Sequence, residues 1–196
     1  LSVVVDQPIV ATIGDSTFFH AGIPALINAV YNQHKFVYTV LDNETTAMTG
    51  HQPHPGTGVT NRGVTAKVKP EDVARGCGVK FVRVVDPVNV KEAIKTFKEA
   101  LKYDGPAVIV ARRRCTLLVL REKRRAGHRV IPYEVKPDKC TGCGVCISML
   151  GCPAISWAGE KVVIDPVLCA GTTCGVCAQI CPYKASDYCH RFDKFH

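Results

Sequence analysis

Long apolar runs are missing from this sequence. The longest, such as PAVIVA at 106–111, falls far short of the roughly 20 residues that a membrane helix needs. A secretory leader is missing too: LSVVVDQPIV at the start has neither a basic stretch nor a cleavage site. The chain opens at Leu1 and enters a buried-type strand almost at once, which suggests a piece of a longer subunit. Acidic residues are in the minority, 17 against 25 Lys and Arg, for a formal charge of +8 at pH 7. The excess gathers in ARRR (111–114) and REKRRAGHR (121–129). That placement reads first as a solvated basic linker and second as a docking patch for an acidic protein, ahead of a nucleic-acid site. Neither a membrane nor a nucleic acid is expected as a partner.

Cysteine is plentiful. Eight of the eleven fall in two tight groups, and ligands so closely spaced suit a metal better than a set of disulfides, in a reducing cytoplasm. Cys77, Cys115 and Cys189 are left over; buried small apolar residues are the ordinary reading for the first two, and Cys189 receives no role.

Apolar runs alternate with helical patterns over residues 1–111. PIVATIG (8–14), KFVYTVLD (35–42), VKFVRVV (79–85) and PAVIVA (106–111) read as strands. IPALINAVYNQ (23–33), with Pro24 in its first turn, KPEDVARGC (69–77) and NVKEAIKTFKEALKYDG (89–105) read as helices. The last should pack Val90, Ile94, Phe97 and Leu101 on a sheet. The alternation predicts an α/β fold with a parallel sheet over 1–115. A basic linker over 116–135 and a small α+β cysteine-rich domain over 136–196 follow. The last is an internal repeat, KPDKCTGCGVCISMLGCPAI against DPVLCAGTTCGVCAQICPYKA, around a hairpin that turns at Ala158-Gly159. It has too little core to fold without staples.

Bacterial ferredoxins carry C-x2-C-x2-C-x3-C-P, with the fourth cysteine ligating the other cluster. Here Cys140, Cys143 and Cys146 precede a five-residue gap to Cys152-Pro153; Cys169 precedes a four-residue gap to Cys174, and Cys177 leads to Cys181-Pro182. The crossing rule puts Cys140, Cys143, Cys146 and Cys181 on one [4Fe-4S] cluster and Cys152, Cys169, Cys174 and Cys177 on the other. Both departures from plain spacing concern the second cluster, so a three-iron form is an alternative there. Structural zinc is the alternative for both, but it rarely wants four cysteines per half, each half ending in Cys-Pro. The region resembles a bacterial-type two-cluster ferredoxin over about 60 residues.

GDSTFFHAG (14–22) follows the first strand directly, and LDNETTAMTG (41–50) ends the second. Asp15 and Asn43 are thus expected side by side at the carboxyl edge of the sheet, where ligands of open α/β sheets bind. Magnesium prefers octahedral oxygen coordination shared with phosphates. The Asp15 carboxylate, the Asn43 amide oxygen and the Thr45 main-chain carbonyl supply three such oxygens. Gly14, with the N–H groups around Ser16 and Thr17, suits a phosphate.

The pair resembles the thiamine diphosphate signature. More closely, GDSTFFHAGIPALINAVYN with LDNETTAMTGHQPHPGTG resembles the alpha-subunit family of indolepyruvate:ferredoxin oxidoreductases, in which a ferredoxin-like domain follows the thiamine diphosphate domain. The resemblance implies thiamine diphosphate, Mg2+ and two [4Fe-4S] clusters, and oxidative decarboxylation of an aryl 2-oxoacid with CoA. The cofactor takes up the electron pair left by CO2 and the clusters carry it onward to ferredoxin. Thr46 and Met48 would then face the cofactor or substrate. His51 and His54, and likewise His20, stay open between pocket contact, metal binding and plain loop. Two departures stand out: Ser16 replaces the usual glycine, and no segment resembles the pyrimidine-binding domain whose glutamate activates the cofactor. Glu44, inside the diphosphate turn, does not fit that role. A second, beta- or gamma-type subunit is implied as partner, and this chain alone is expected to be inactive. A pyruvate-type oxidoreductase of the same superfamily, or an electron-transfer module with a relic thiamine half, are the other readings.

Overall fold

Strands built from uninterrupted β-branched runs are suited to burial on both faces, as in the middle of a parallel sheet. The computed structural model, which describes Val4 and residues 7–188, places two of them there. The chain divides into two units, Leu1–Cys115 and Thr116–His196.

In the first unit β1 (Val10–Gly14) runs straight into helical backbone. A single turn α1 (Asp15–Thr17), a π-turn (Phe18–Gly22) and α2 (Ile23–Tyr31) follow in succession. Then come β2 (Phe36–Asp42), a 3-10 turn at Ala47–Thr49, and the short antiparallel pair β3 (Val59–Thr60) and β4 (Gly63–Val64). The remainder is α3 (Pro70–Gly76), β5 (Phe81–Val85), α4 (Val90–Lys102) and β6 (Pro106–Arg112). The four long strands pair in the order β1-β2-β6-β5, all parallel. In the central strands Val37, Val40, Val108, Ile109 and Val110 are at most 1% exposed. Burial of each such side chain is worth about 1.5–3 kcal/mol.

One face of the sheet packs Phe18, Leu26, Ala74 and Val79 against β2 and β6, with Cys77 half-buried beside them. The other face takes α4, capped by Asn89, whose side chain accepts the Glu92 N–H and donates to the Glu92 carboxylate. The packing stripe of α4 differs from expectation. Ala93, Phe97 and Ala100 meet the sheet, whereas Ile94 and Leu101 are 50% and 36% exposed. Positions 93, 97 and 100 form one stripe by the 3, 4, 7 spacing, and the small alanines let the helix sit close.

The second unit holds a correction. Residues 116–135, expected to be a linker, contain α5 (Thr116–Arg125) and β7 (Tyr133–Val135). Charge density suggested solvated chain, but TLLVLREKRR is made mostly of good helix formers, and Lys123, Arg124 and Arg125 in the last turn complement the helix dipole. Next come α6 (Val145–Leu150), β8 (Ile155–Ala158), β9 (Lys161–Ile164), a 3-10 turn at Gly171–Thr173, α7 (Val176–Ile180) and β10 (Ser186–Tyr188). The β8–β9 hairpin turns at Gly159 and Glu160, one residue later than expected. β7 pairs antiparallel with β10, so a domain beginning at 136 would lose one of its strands. Cys189 lies outside the described residues. Among the described residues no helix is long and apolar enough to cross a membrane.

One charge network pins the carboxyl edge of the sheet. Arg112, which ends β6, donates to Asp42 Oδ2 at 2.7 Å and to both oxygens of Glu71 in α3, at 3.0 and 2.6 Å. Asp42 and Glu71 are buried. Removing one partner from a buried pair costs 3–5 kcal/mol, and the 29% exposure of the Arg112 side chain lowers that, so Arg112→Met is expected to cost about 2–3 kcal/mol. Hydrogen exchange in β6 and α3 of the full-length protein reads this as lost protection. Burial raises the Glu71 carboxyl, and the Arg112 hydrogen bonds, a backbone N–H and the positive charges of Arg112 and Lys69 together outweigh it, leaving its pKa below the ordinary 4.5. The Glu71 contribution is therefore complete above pH 4.5 and fades as the pH falls below it.

Candidate cofactor and cluster sites

The carboxyl ends of β1 and β2 are neighbours, with Gly14 opposite Leu41 in register. The residues that follow them therefore meet. Asp15 is 2% exposed. Its Oδ1 accepts the Ser16 N–H at 2.8 Å and its Oδ2 accepts the Asn43 N–H at 3.1 Å. Asn43 Oδ1 in turn accepts the Thr45 N–H at 3.1 Å, and the Thr45 carbonyl accepts the Ala47 N–H at 3.0 Å. The Asn43 carbonyl is tied to the Cys115 N–H at 3.0 Å. Glu44, in the left-handed region at φ 59°, hydrogen-bonds Asp42 through its N–H, and its side chain lies 3.6 Å from Lys67.

The donor types here are the oxygens that magnesium takes. Each oxygen of a carboxylate, amide or carbonyl offers two lone pairs, and Asp15 Oδ1, Asn43 Oδ1 and the Thr45 carbonyl each spend one in these bonds. Burial pushes the Asp15 carboxyl above its ordinary pKa; the Ser16 N–H and the facing His54 ring edge pull it down, and nearby Asp42 pushes it up again. A bound dication would offset that desolvation.

The other expected residues of this site lie around it unevenly. Ser16 is half-buried, while Gly14 and Thr17 are exposed. Thr46 and Gln52 bridge the neck of a loop whose tip carries Met48, 99% exposed. A hollow beside the turn is lined by charged Asp42, Glu44, Lys67, Lys69 and Arg112 together with Gly56, Val68 and Pro70.

The three histidines separate. His20 is exposed, and its Nδ1 donates to the Ser16 carbonyl at 2.7 Å within the helical segment. His51 sits at φ 68° with Nδ1 buried and without a hydrogen-bond partner. His54 has a side chain only 1% exposed, with Nε2 3.1 Å from Asp15 Oδ2. The N–H axis of Nε2 does not point down that line, so the contact is close without being an in-line hydrogen bond, and Nε2 has no other partner.

In the second unit, Cys140, Cys143, Cys146, Cys177 and Cys181 all line one apolar hollow, so Cys177, expected on the other cluster, faces the same space as the first set. Burial pushes the Cys146 thiol up, and Cys181, Cys143 and Cys140 add to it. Burial likewise pushes Cys177 up; the Ser186 hydroxyl, 3.1 Å from its sulfur, pulls it down, and Cys169 and Cys174 push it up again. Cys152 is half-buried and does not line the hollow. Backbone N–H groups point at the sulfurs: Val162 and Gly142 toward Cys140, which lowers its thiol pKa, Tyr133 and Gly171 toward Cys169, and Ala185 toward Cys181. Such donors suit thiolates on iron, whose potential they tune. Among the described residues no three His, Cys, Asp or Glu side chains converge closely enough to share a single metal ion.

The repeat leaves a matching mark on each half. Gly144 and Gly175 precede α6 and α7 in the left-handed conformation, at φ 68° and 73°. Each lies under an aromatic ring: a Cβ on Gly144 would come 3.0 Å from the Trp157 ring, and one on Gly175 would come 2.6 Å from Tyr133 Oη.

Residues 2–111 match the family described as thiamine pyrophosphate enzyme, C-terminal TPP binding domain. The chain belongs to that family. Within it the chain is 53% identical, over 94% of its length, to a protein of Archaeoglobus fulgidus named indolepyruvate oxidoreductase subunit IorA, of which it covers 29%. It is also 53% identical to the protein of the same name from Pyrococcus abyssi and 46% identical to that from Methanothermobacter marburgensis, covering 90% and 94% of this chain and 27% and 29% of theirs. The chain thus spans less than a third of these curated relatives.

For this TPP-binding domain, sequence reasoning missed two supports of the Asn43 turn. The Arg112 network and the Cys115 N–H come from distant positions and have no local signature. His54, one of three histidines left open by the sequence, is the one the fold sets against Asp15.

Gly175→Ala is expected to destabilise α7. Left-handed backbone costs a non-glycine residue about 1–2 kcal/mol, and the added Cβ must displace Tyr133. Faster exchange of the α7 amides, with Gly144→Ala producing the equivalent loss in α6, is the measurement that checks it.

Proposed function

We propose that this chain is the part of an aryl 2-oxoacid:ferredoxin oxidoreductase that holds the diphosphate end of thiamine diphosphate through Mg2+ and carries two [4Fe-4S] clusters. The reaction is 2-oxoacid plus CoA plus two oxidised ferredoxins giving acyl-CoA, CO2, two reduced ferredoxins and a proton. Indolepyruvate is the substrate, after the name carried by the relatives; a cytoplasmic setting follows from the thiol-rich second unit. The observation that carries the reading is the meeting of Asp15 and Asn43 at one sheet edge in a chain that also bears eight cluster-spaced cysteines.

The residue roles in this reading rest on motif spacing and the resemblance. Asp15, Asn43 and the Thr45 carbonyl hold the metal; Gly14, Ser16 and Thr17 border the diphosphate; Thr46 and Met48 lie on the adjoining loop. Bound thiamine diphosphate supplies an electron sink for the decarboxylation. The protein's task at this end is to fix the diphosphate by charge and hydrogen bonds. Cys140, Cys143, Cys146 and Cys181 hold one cluster and Cys152, Cys169, Cys174 and Cys177 the other, so that the electron pair leaves one electron at a time. The partner subunit, together with the rest of the relatives' length, supplies what this chain lacks, including the glutamate that activates the cofactor.

Two measurements test the reading. The reconstituted full-length protein should carry about eight irons in this region; Cys181→Ala should lose about half, and a wild-type count near four would overturn the second cluster. Assayed as the full complex with CoA and a viologen acceptor, indolepyruvate should exceed pyruvate in kcat/KM by at least about tenfold, since a site shaped for the larger side chain gains its binding contacts. The reverse order would overturn the substrate assignment.

A further inference from the structure

We propose that His54 is a positioning residue for the metal-binding carboxylate of Asp15, an inference that rests on the magnesium reading above. His54 lies at the start of a turn fixed from several sides. Its carbonyl accepts the Thr57 N–H at 2.9 Å and the Thr57 hydroxyl at 2.8 Å, and the Pro55 carbonyl accepts the Val68 N–H at 3.0 Å. The ring is set by the same turn. Nδ1 accepts the Gly56 N–H at 3.1 Å, so it carries no proton, and the ring proton sits on Nε2, the nitrogen that faces Asp15 Oδ2.

Packing leaves the ring little choice. Phe19, from the π-turn that follows the Asp15 segment, lies with its centroid 5.7 Å from the imidazole. Gly56 closes the third side: a Cβ there would lie 2.9 Å from His54 Cε1 and 3.0 Å from Phe19 Cε2. A glycine is therefore required for the ring to stand where it does. What the enclosure produces is a buried Nε2–H with no in-line acceptor, set against a buried carboxylate that takes two backbone N–H groups and lies beside Asp42.

A buried donor without a partner costs about 1–3 kcal/mol, which a small turn of the Asp15 carboxylate on metal binding would recover. Oδ2 would then take the His54 N–H and the Asn43 N–H together, leaving Oδ1 for the cation. Outer partners of this kind fix the orientation of a metal-binding group and raise its affinity.

The test is a Mg2+ titration of thiamine diphosphate binding, by calorimetry, in the full-length subunit assembled with its partner. His54→Phe keeps the ring against Phe19 and removes the N–H; it should weaken Mg2+ binding, raising the Mg2+ midpoint about 10–100-fold. His54→Gln restores a donor at similar reach and should recover most of that loss. Gly56→Ala keeps the imidazole but displaces it, and should weaken Mg2+ in the same direction, which carries the test should His54→Phe fail to assemble. Asp15→Ala separates the two levels. If it binds the cofactor like the wild type, the magnesium reading itself fails. If Asp15→Ala loses binding while His54→Phe and Gly56→Ala titrate like the wild type, only the role of His54 is overturned. A lowered melting temperature with an unmoved Mg2+ midpoint would make His54 a packing residue and overturn the proposal as well.

Discussion

The first unit depends on the burial of one carboxylate. Asp15 sits where a parallel strand stops, with almost no water to solvate it, and the surrounding chain is arranged to make that tolerable. A charge in such a place must be hydrogen-bonded or matched by an opposite charge. Backbone N–H groups from two different strand ends converge on it because the sheet brings Gly14 and Leu41 into register. The turn that supplies the second N–H is held by its own network, through Arg112 below and Cys115 beside it. Parallel strands place all their carboxyl ends on one edge, and that geometry turns four separate sequence segments into one site.

The second unit works under a different constraint. It has little apolar core, and its ordering comes from sulfur and backbone. Amide groups face the cysteines from the hairpin, from the loop before α7 and from the strand that opens the module. Each half begins its short helix from a left-handed glycine beneath an aromatic ring. A duplication would keep that detail in both copies, since it depends only on local backbone and one neighbouring side chain.

What could be read in the sequence followed from period and spacing. The parallel sheet was legible because PAVIVA and KFVYTVLD are strand-length apolar runs alternating with amphipathic helices. The meeting of Asp15 and Asn43 was legible because each follows a strand end. The helix at 116–125 was not, since its run of basic residues has the composition of a solvated linker. The packing face of α4 was legible at Phe97, while its partners on the stripe are the small Ala93 and Ala100 and not the larger Ile94 and Leu101. Arg112 with Glu71, and His54 with Gly56, depend on contacts that only the folded chain reveals. No pattern in one dimension states that a glycine is there to make room for a ring two residues earlier.

Tyr133 touches the second half of the duplicated module twice: its N–H meets the sulfur of Cys169, and its ring roofs Gly175. It belongs to a strand that precedes the first cysteine of the motif by several residues. Anyone excising the cysteine-rich portion at the motif's own start would therefore remove a lid as well as a strand. The smallest piece that could be transplanted intact begins upstream of the cysteines, in the stretch that looks most like spacer.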